Sequence, residues 1–229
     1  IEKAIHLLDC WEFNNNHLMY VPISGNWADE YITEGYVLYD QLLRIWALKS
    51  YNHFVQSEEI TLKINSISEK IEHNFLPNSK SEKVHPKAYQ EAQIREFMPC
   101  SFSPAGYKMY FDAFAHALAV LLKVGNPDFQ KTTMCYAEKI KGNLPLQLVP
   151  AFWPPIQHTD WEWNILKSNC KYEFRNQPYE FHNGGSWPMV NGFYGLALHH
   201  LGLNQECENI LSALNQANAL SDFGFYENF

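Results

Sequence analysis

The sequence predicts an all-α protein whose helical hairpins curl into an α/α toroid resembling an (α/α)6 barrel. Three observations lead there. Residues 36–54, 108–124 and 187–201 are apolar nearly all round, as helices buried on most sides must be. Each is followed by an amphipathic stretch at helical period. A glycine–aromatic pair marks each apolar stretch: Gly35-Tyr36, Gly106-Tyr107 and Gly192-Phe193.

Taken in order, the first apolar helix is followed by Ile60, Ile64, Ile67, Ile71 and Phe75 on one stripe, with Lys63, Glu69, Lys70 and Glu72 elsewhere. The second stops at Gly125, where a left-handed cap is expected, and leads to an outer helix over 128–140. The third stops at Gly202 and leads to Cys207, Ile210, Leu211, Leu214 and Ala217 on one face. The glycine markers lie too far apart for a tight solenoid and fit hairpins with long decorated loops. Residues 76–106 carry prolines at 77, 86, 99 and 104 and a short helix over 87–97, and 142–186 form a second long connection. Long ordered connections of this kind usually carry function. A closed ring needs more hairpins than these. The chain, a single catalytic domain over 1–229, is therefore expected to be the C-terminal half of a full toroid. Its open apolar edge would be covered by a missing N-terminal half or by a second copy in a homo-oligomer.

Composition removes several classes. A chain of 229 residues can bury a sizeable core. Its net charge of −8, with scattered Lys and Arg, leaves nothing to neutralise phosphates, so no nucleic-acid partner is expected. No apolar run approaches the roughly 20 residues that cross a bilayer, so no membrane partner is expected. Five widely spaced cysteines without a C-x-x-C pattern read as reduced thiols, which points to the cytoplasm. Because the chain begins with Ile1, it is expected to be a piece of a longer protein. No glycine-rich phosphate loop, H-E-x-x-H or G-x-S-x-G string occurs. No cofactor or metal is called for; His199, His200 and His116 read as helix-end or core residues.

Aromatic residues make up 15% of the chain, with seven tryptophans. Trp11, Trp27, Trp153, Trp161, Trp163 and Trp187 fall in or beside loops, where they must line a cleft or pack under a lid. Two acids sit among such rings. Asp29 lies in Gly25-Asn26-Trp27-Ala28-Asp29-Glu30-Tyr31, and Glu227 in Phe223-Gly224-Phe225-Tyr226-Glu227-Asn228-Phe229. Rings stack on the apolar faces of a pyranose while carboxyls protonate the leaving oxygen and activate water. In His182-Asn183-Gly184-Gly185-Ser186-Trp187-Pro188 the glycines admit close backbone approach. Ser186 suits an N-cap, Pro188 suits a first helical turn, and His182, Asn183 and Trp187 face the cavity mouth. Plainer readings stand beside these: His182 and Asn183 as backbone caps, Asp29 as a helix cap, Glu227 as a solvated tail residue. Asp160-Trp161-Glu162-Trp163 is either a sugar-binding edge or an anchor for its loop.

The string 182–188 closely resembles one of the neutral/alkaline invertases, and 27–43 resembles that family's proton-donor segment. A similar arrangement occurs in the glucosidase domain of glycogen-debranching enzymes. Phe225-Tyr226-Glu227-Asn228-Phe229 looks like the general-base segment of processing α-glucosidases and trehalases. The resemblance implies an (α/α)6 barrel that cleaves a small α-linked sugar with inversion. It makes Asp29 the general acid and Glu227 the general base. It also implies Trp27, Tyr36, Gln41, His182, Asn183 and Trp187 as substrate-binding residues, and the aromatic settings add Trp153 and Tyr226. Glu30 and Tyr31 stand where invertases have paired arginines, and a glutamate near Tyr39 is missing, so sucrose is not singled out. Inversion requires the two carboxyls roughly 6.5–9.5 Å apart. Trp27 with Glu30 or Glu34 would hold the acid protonated. Two other classes remain: an N-acylglucosamine-epimerase type using His182 with His116 or His199, and a non-catalytic carbohydrate-binding module.

Overall fold

In a computed structural model, residues 1–170 and 172–229 are described, and they are mostly helical. After α1 (Glu2–Asp9), strand β1 (Tyr36–Val37) runs directly into α2 (Leu38–Val55) and then α3 (Glu58–Phe75), whose N-cap Ser57 accepts from the Ile60 N–H. Helix α4 (Pro86–Ala92) and strands β2 (Ser101–Ser103), β3 (Gly106–Lys108) and β4 (Phe111–Asp112) precede α5 (Ala113–Leu122) and α6 (Pro127–Gly142). Strand β5 (Phe152–Trp153) and α7 (Trp163–Asn169) lie in the second long connection, before α8 (Pro188–His200) and α9 (Asn204–Asn218). Helix α5 packs against both α2 and α8, while α3 lies on α2, α6 on α5 and α9 on α8. The middle inner helix is buried from Ala113 to Val120. Each large apolar side chain there, such as Leu118 or Phe114, contributes about 1.5–3 kcal/mol by leaving water.

The inner helices are entered in one repeated way. Each starts from an extended N-cap: Val37, Asp112 or Trp187. Four residues on, in the first turn, stands a buried polar side chain: Gln41, His116 or Asn191. Gln41 accepts from the Met19 N–H (2.9 Å) and donates to the Met19 and Val37 carbonyls. Asn191 does the same with Val149 (2.8 and 2.9 Å) and the Trp187 carbonyl. His116 accepts from the Met98 N–H at Nε2, and its Nδ1 lies 2.6 Å from the Asp112 carbonyl. Each clamp fixes the chain ahead of its own helix, which then pairs with the preceding lead-in. Tyr36 pairs with Phe102, Phe111 with Trp153, and Ser186 with Phe229 through two 2.8 Å bonds. The first helical N–H of α2 and α5 reaches the next unit, Leu38 to the Cys100 carbonyl and Ala113 to that of Ala151. Pro188 has no such donor.

A buried ion-pair group fastens α1. Arg44 on α2, 2% exposed, binds Asp9 (2.8 Å) and Glu12, and Lys63 on α3 meets the same two acids. Among the described residues no helix is long and apolar enough to cross a membrane.

Several local expectations change. The apolar pattern predicts a helix over 108–124, but it forms only over Ala113–Leu122, because the Tyr107–Asp112 region pairs as strands. These short strands carry too few residues to show a period of two. The short helix expected over 87–97 spans Pro86–Ala92 and ends at Gln93 in the left-handed region (φ 47°). Gly192 lies inside α8, so the counterpart of Gly35 is Gly185, two residues before the N-cap. A Cβ at Gly35 would meet the Phe102 carbonyl at 2.5 Å, and one at Gly185 would run into the Phe181 backbone. The N-cap of α8 is Trp187, because Ser186 is held in backbone pairing with Phe229. Leu211 is half-exposed, and Ala213 takes its place on the buried face of α9.

Candidate active site

The 22–35 loop places Trp27 at the centre of the site. Asn26 shapes this loop, accepting from the Ala28 N–H (3.0 Å) and donating to the Thr33 hydroxyl (3.1 Å). The long connection closes over it. Asn169 donates to the Asp29 and Tyr31 carbonyls (3.2 Å each), Asn176 donates to the Glu30 carbonyl, and Arg175 pairs with the Glu30 carboxylate. The Trp27 ring stacks on Phe152 (6.1 Å, 14°) and meets His182 (5.2 Å) and Trp187 (5.5 Å) edge-on. Tyr39 and Phe114, from α2 and α5, complete the aromatic wall at 6.3 and 5.7 Å.

The 182–188 string supplies the opposite side. Asn183 is fully buried; it accepts from the Ile156 N–H (2.7 Å) and donates to the carbonyls of Ile156 and Asn176. Asn176 accepts from the His182 N–H. The His182 ring lies parallel to Trp187 at 5.0 Å, 1% exposed, with both nitrogens buried and unpartnered. Burial, then the charge of Arg175, pushes its pKa down to about 3, so the ring is neutral. Trp187 donates its indole N–H to the Phe181 carbonyl (3.0 Å), whereas the Trp27 indole N–H is buried without a partner.

Asp29 and Glu227 are both exposed. Their segments reach one dipeptide: Trp27 packs against Trp187, and Phe229 pairs with Ser186. Trp153 is half-buried, 6.1 Å from Tyr179, and Tyr226 is half-exposed against Phe229. Tyr36 is buried among Tyr20 and Phe102, apart from the Trp27 wall, and Gln41 is buried on backbone partners. The polar groups of Gln41 and Asn183 thus position chain segments. The histidines named as partners for His182 are committed elsewhere. His116 is bonded to backbone, and His199 is exposed beside Asn204.

Two further acids belong to this site: Asp40 and Asp112. They sit at the starts of the adjacent helices α2 and α5. Asp112 is wholly buried; its Oδ1 caps α5 by accepting from the Ala115 N–H (3.0 Å), and its Oδ2 has no partner. Burial pushes it up to about 7 against the pull of the Ala115 and Phe114 N–H groups. Asp40 also has a buried unpartnered Oδ2 and is pushed up to about 7, by burial first and then by Asp112. An acid just before an apolar helical run is an N-cap signal that would have found Asp112; Asp40 carries no such signal. Asp40 lines a cavity of about 500 Å³ with Met19, Leu43, Trp46 and Ser50. Trp46 and the Asp40 carboxyl in that lining, and in the ring cluster the unpartnered Trp27 indole N–H, are groups that can stack on or hydrogen-bond a hydroxylated ring. Among the described residues no group of His, Cys, Asp or Glu could hold a metal ion.

No family model matches the chain. Over 106 residues, 42% of its length, the chain is 26% identical to cytosolic invertase 1 of Oryza sativa subsp. japonica. The match spans 17% of that protein. This likeness supports a distant relationship to invertase-like glycosidases.

Proposed function

We propose that the chain is a glycoside hydrolase domain that cleaves a small α-linked sugar with inversion, its hairpins forming part of an α/α toroid. The meeting of the Trp27 and Phe229 segments at Ser186–Trp187 carries this reading. Asp29, as general acid, gives its proton to the glycosidic oxygen as the bond to the anomeric carbon breaks. Glu227, as general base, takes a proton from the water that attacks that carbon from the opposite face. Trp153, Tyr226 and the uncovered part of Trp27 offer stacking faces, buried Trp187 backs them, and buried neutral His182 keeps an unpartnered donor and acceptor beside them. Tyr36, Gln41 and Asn183 hold the walls in place. The rice relative's name and the free cysteines suit a cytosolic setting.

Asp29→Asn and Glu227→Gln should each lower kcat by about 10²–10⁴-fold at an unchanged melting temperature, with NMR following the anomer first released. Full activity in either variant removes that residue from its role. A second reading rests on Asp40, whose Oδ2 is buried without a partner at a cavity wall and whose carboxyl, pushed up to about 7, keeps a proton part of the time at neutral pH. Activity surviving in Asp29→Asn but lost in Asp40→Asn would make Asp40 the acid.

A further inference from the structure

A separate cleft of about 360 Å³ lies beyond the Asp29 loop, and no step of the proposed reaction uses it. Glu34, Tyr107, Lys108, Tyr110, Trp161 and Glu162 are among the residues that line it. Lys108 pairs with Glu34 (3.2 Å) and donates to the Ile32 carbonyl, so its position is fixed. Glu162 lies against the Tyr110 phenol. The two tryptophans of Asp160-Trp161-Glu162-Trp163 have parted. Trp163 turns inward, edge-on to Phe174 (5.3 Å) and His158 (4.3 Å), and anchors the segment. Trp161 turns outward and is 73% exposed. An indole left open beside a lined cavity is characteristic of a binding face rather than of packing.

We propose that this cleft is a second carbohydrate-binding site, with a neutral sugar ring stacked on Trp161. Its hydroxyls would donate to the Glu162 and Glu34 carboxylates and accept from the remaining Lys108 N–H. The volume falls within the range of small-ligand pockets, and a flat indole beside fixed acceptors matches a ring with one apolar face. The Lys108–Glu34 pair cancels one charge and leaves Glu162 as the one uncompensated acid of the lining. The site needs neither Asp29 nor Glu227, so binding here stands or falls apart from hydrolysis.

The test uses the Asp29→Asn/Glu227→Gln protein, in which bound sugars stay intact. Calorimetry and saturation-transfer NMR would follow maltose, sucrose and trehalose, each with and without Trp161→Ala and Glu162→Gln. Trp161→Ala should weaken binding of at least one sugar about tenfold at an unchanged melting temperature. Affinities within twofold of the parent for every sugar would overturn the proposal. So would a cleft that takes spermidine and no sugar. If wild type hydrolyses nothing yet loses sugar binding on Trp161→Ala, this site stands while the hydrolase reading falls.

Discussion

Asp40 and Asp112 give the site a pH response whose sign can be worked out. A carboxyl held up to about 7 binds a proton in the folded state where the unfolded chain, near 3.8, does not. Stability from such a group therefore declines as pH rises from about 4 to 7. His182 and His116, pushed down to about 3 and about 4, act in the opposite sense. Their contribution is complete above 6.5 and is lost as pH falls below it. The two pairs oppose each other between about pH 4 and 6.5. Asp112→Asn keeps the helix cap, since asparagine caps as well as aspartate, but removes one acid and relieves Asp40. Compared with wild type, it should lose stability more steeply on acidification and fare relatively better at pH 8. Urea unfolding at pH 5, 6, 7 and 8 reads this out, with a slope of at most about 1.4 kcal/mol per pH unit for each group. A wild-type-to-variant difference that does not change with pH would show that Asp112 does not titrate in this range. Asp112 was missed as a cap because the apolar pattern starts the helix at 108, and its place beside Asp40 was not readable because Asp40 lies far away in sequence.

At the scale of elements, period and burial made the six main helices readable. Stripes such as Ile64, Ile67, Ile71 and Phe75 repeat at helical spacing and are buried as a set. The lead-in strands and clamps were not readable. A lone Gln or Asn in an apolar helix looks like an exception to the pattern, and its partners lie 22 and 42 residues earlier. Those clamps explain why polar side chains sit in the first turns of buried helices. Replacing Asn191 with Leu keeps the helix but strands the Val149 N–H and carbonyl without partners, at about 1–3 kcal/mol for each group. Denaturant unfolding should therefore show a loss of about 2 kcal/mol or more for Asn191→Leu and for Gln41→Leu. A loss under about 0.5 kcal/mol would mean that a bridging water takes over the clamp's hydrogen bonds, as ordered waters do at wetter sites. Arg44 sets a similar demand on α1. Removing both carboxylates with Asp9→Asn/Glu12→Gln leaves a buried guanidinium facing neutral amides and should cost about 3 kcal/mol.

Across the whole molecule, the ends of the row differ from its middle. Helix α5 packs against two inner helices, while α2 and α8 each pack chiefly against one of them, α5. Along α2, Trp46 is 42% exposed; along α8, Met189 and Leu196 are about half exposed. Trp46 and Phe193 approach to 6.2 Å, so these stripes border a common face. The sequence leads to the expectation of an open apolar edge from the number of hairpins; Trp46, Met189 and Leu196 are exposed inner-helix side chains that such an edge would use. In the inner helices apolar residues fall on more than one face, and only packing separates the covered ones from the rest. Apolar area of this kind on an isolated chain drives association. The 229-residue protein should therefore sediment with a weight-average mass that rises with concentration. Trp46→Glu/Leu196→Glu, changing only exposed positions, should return it to monomer with little change in melting temperature. A wild-type chain that stays monomeric from micromolar to hundreds of micromolar would show that the open stripes are too small or too dispersed to bind one another.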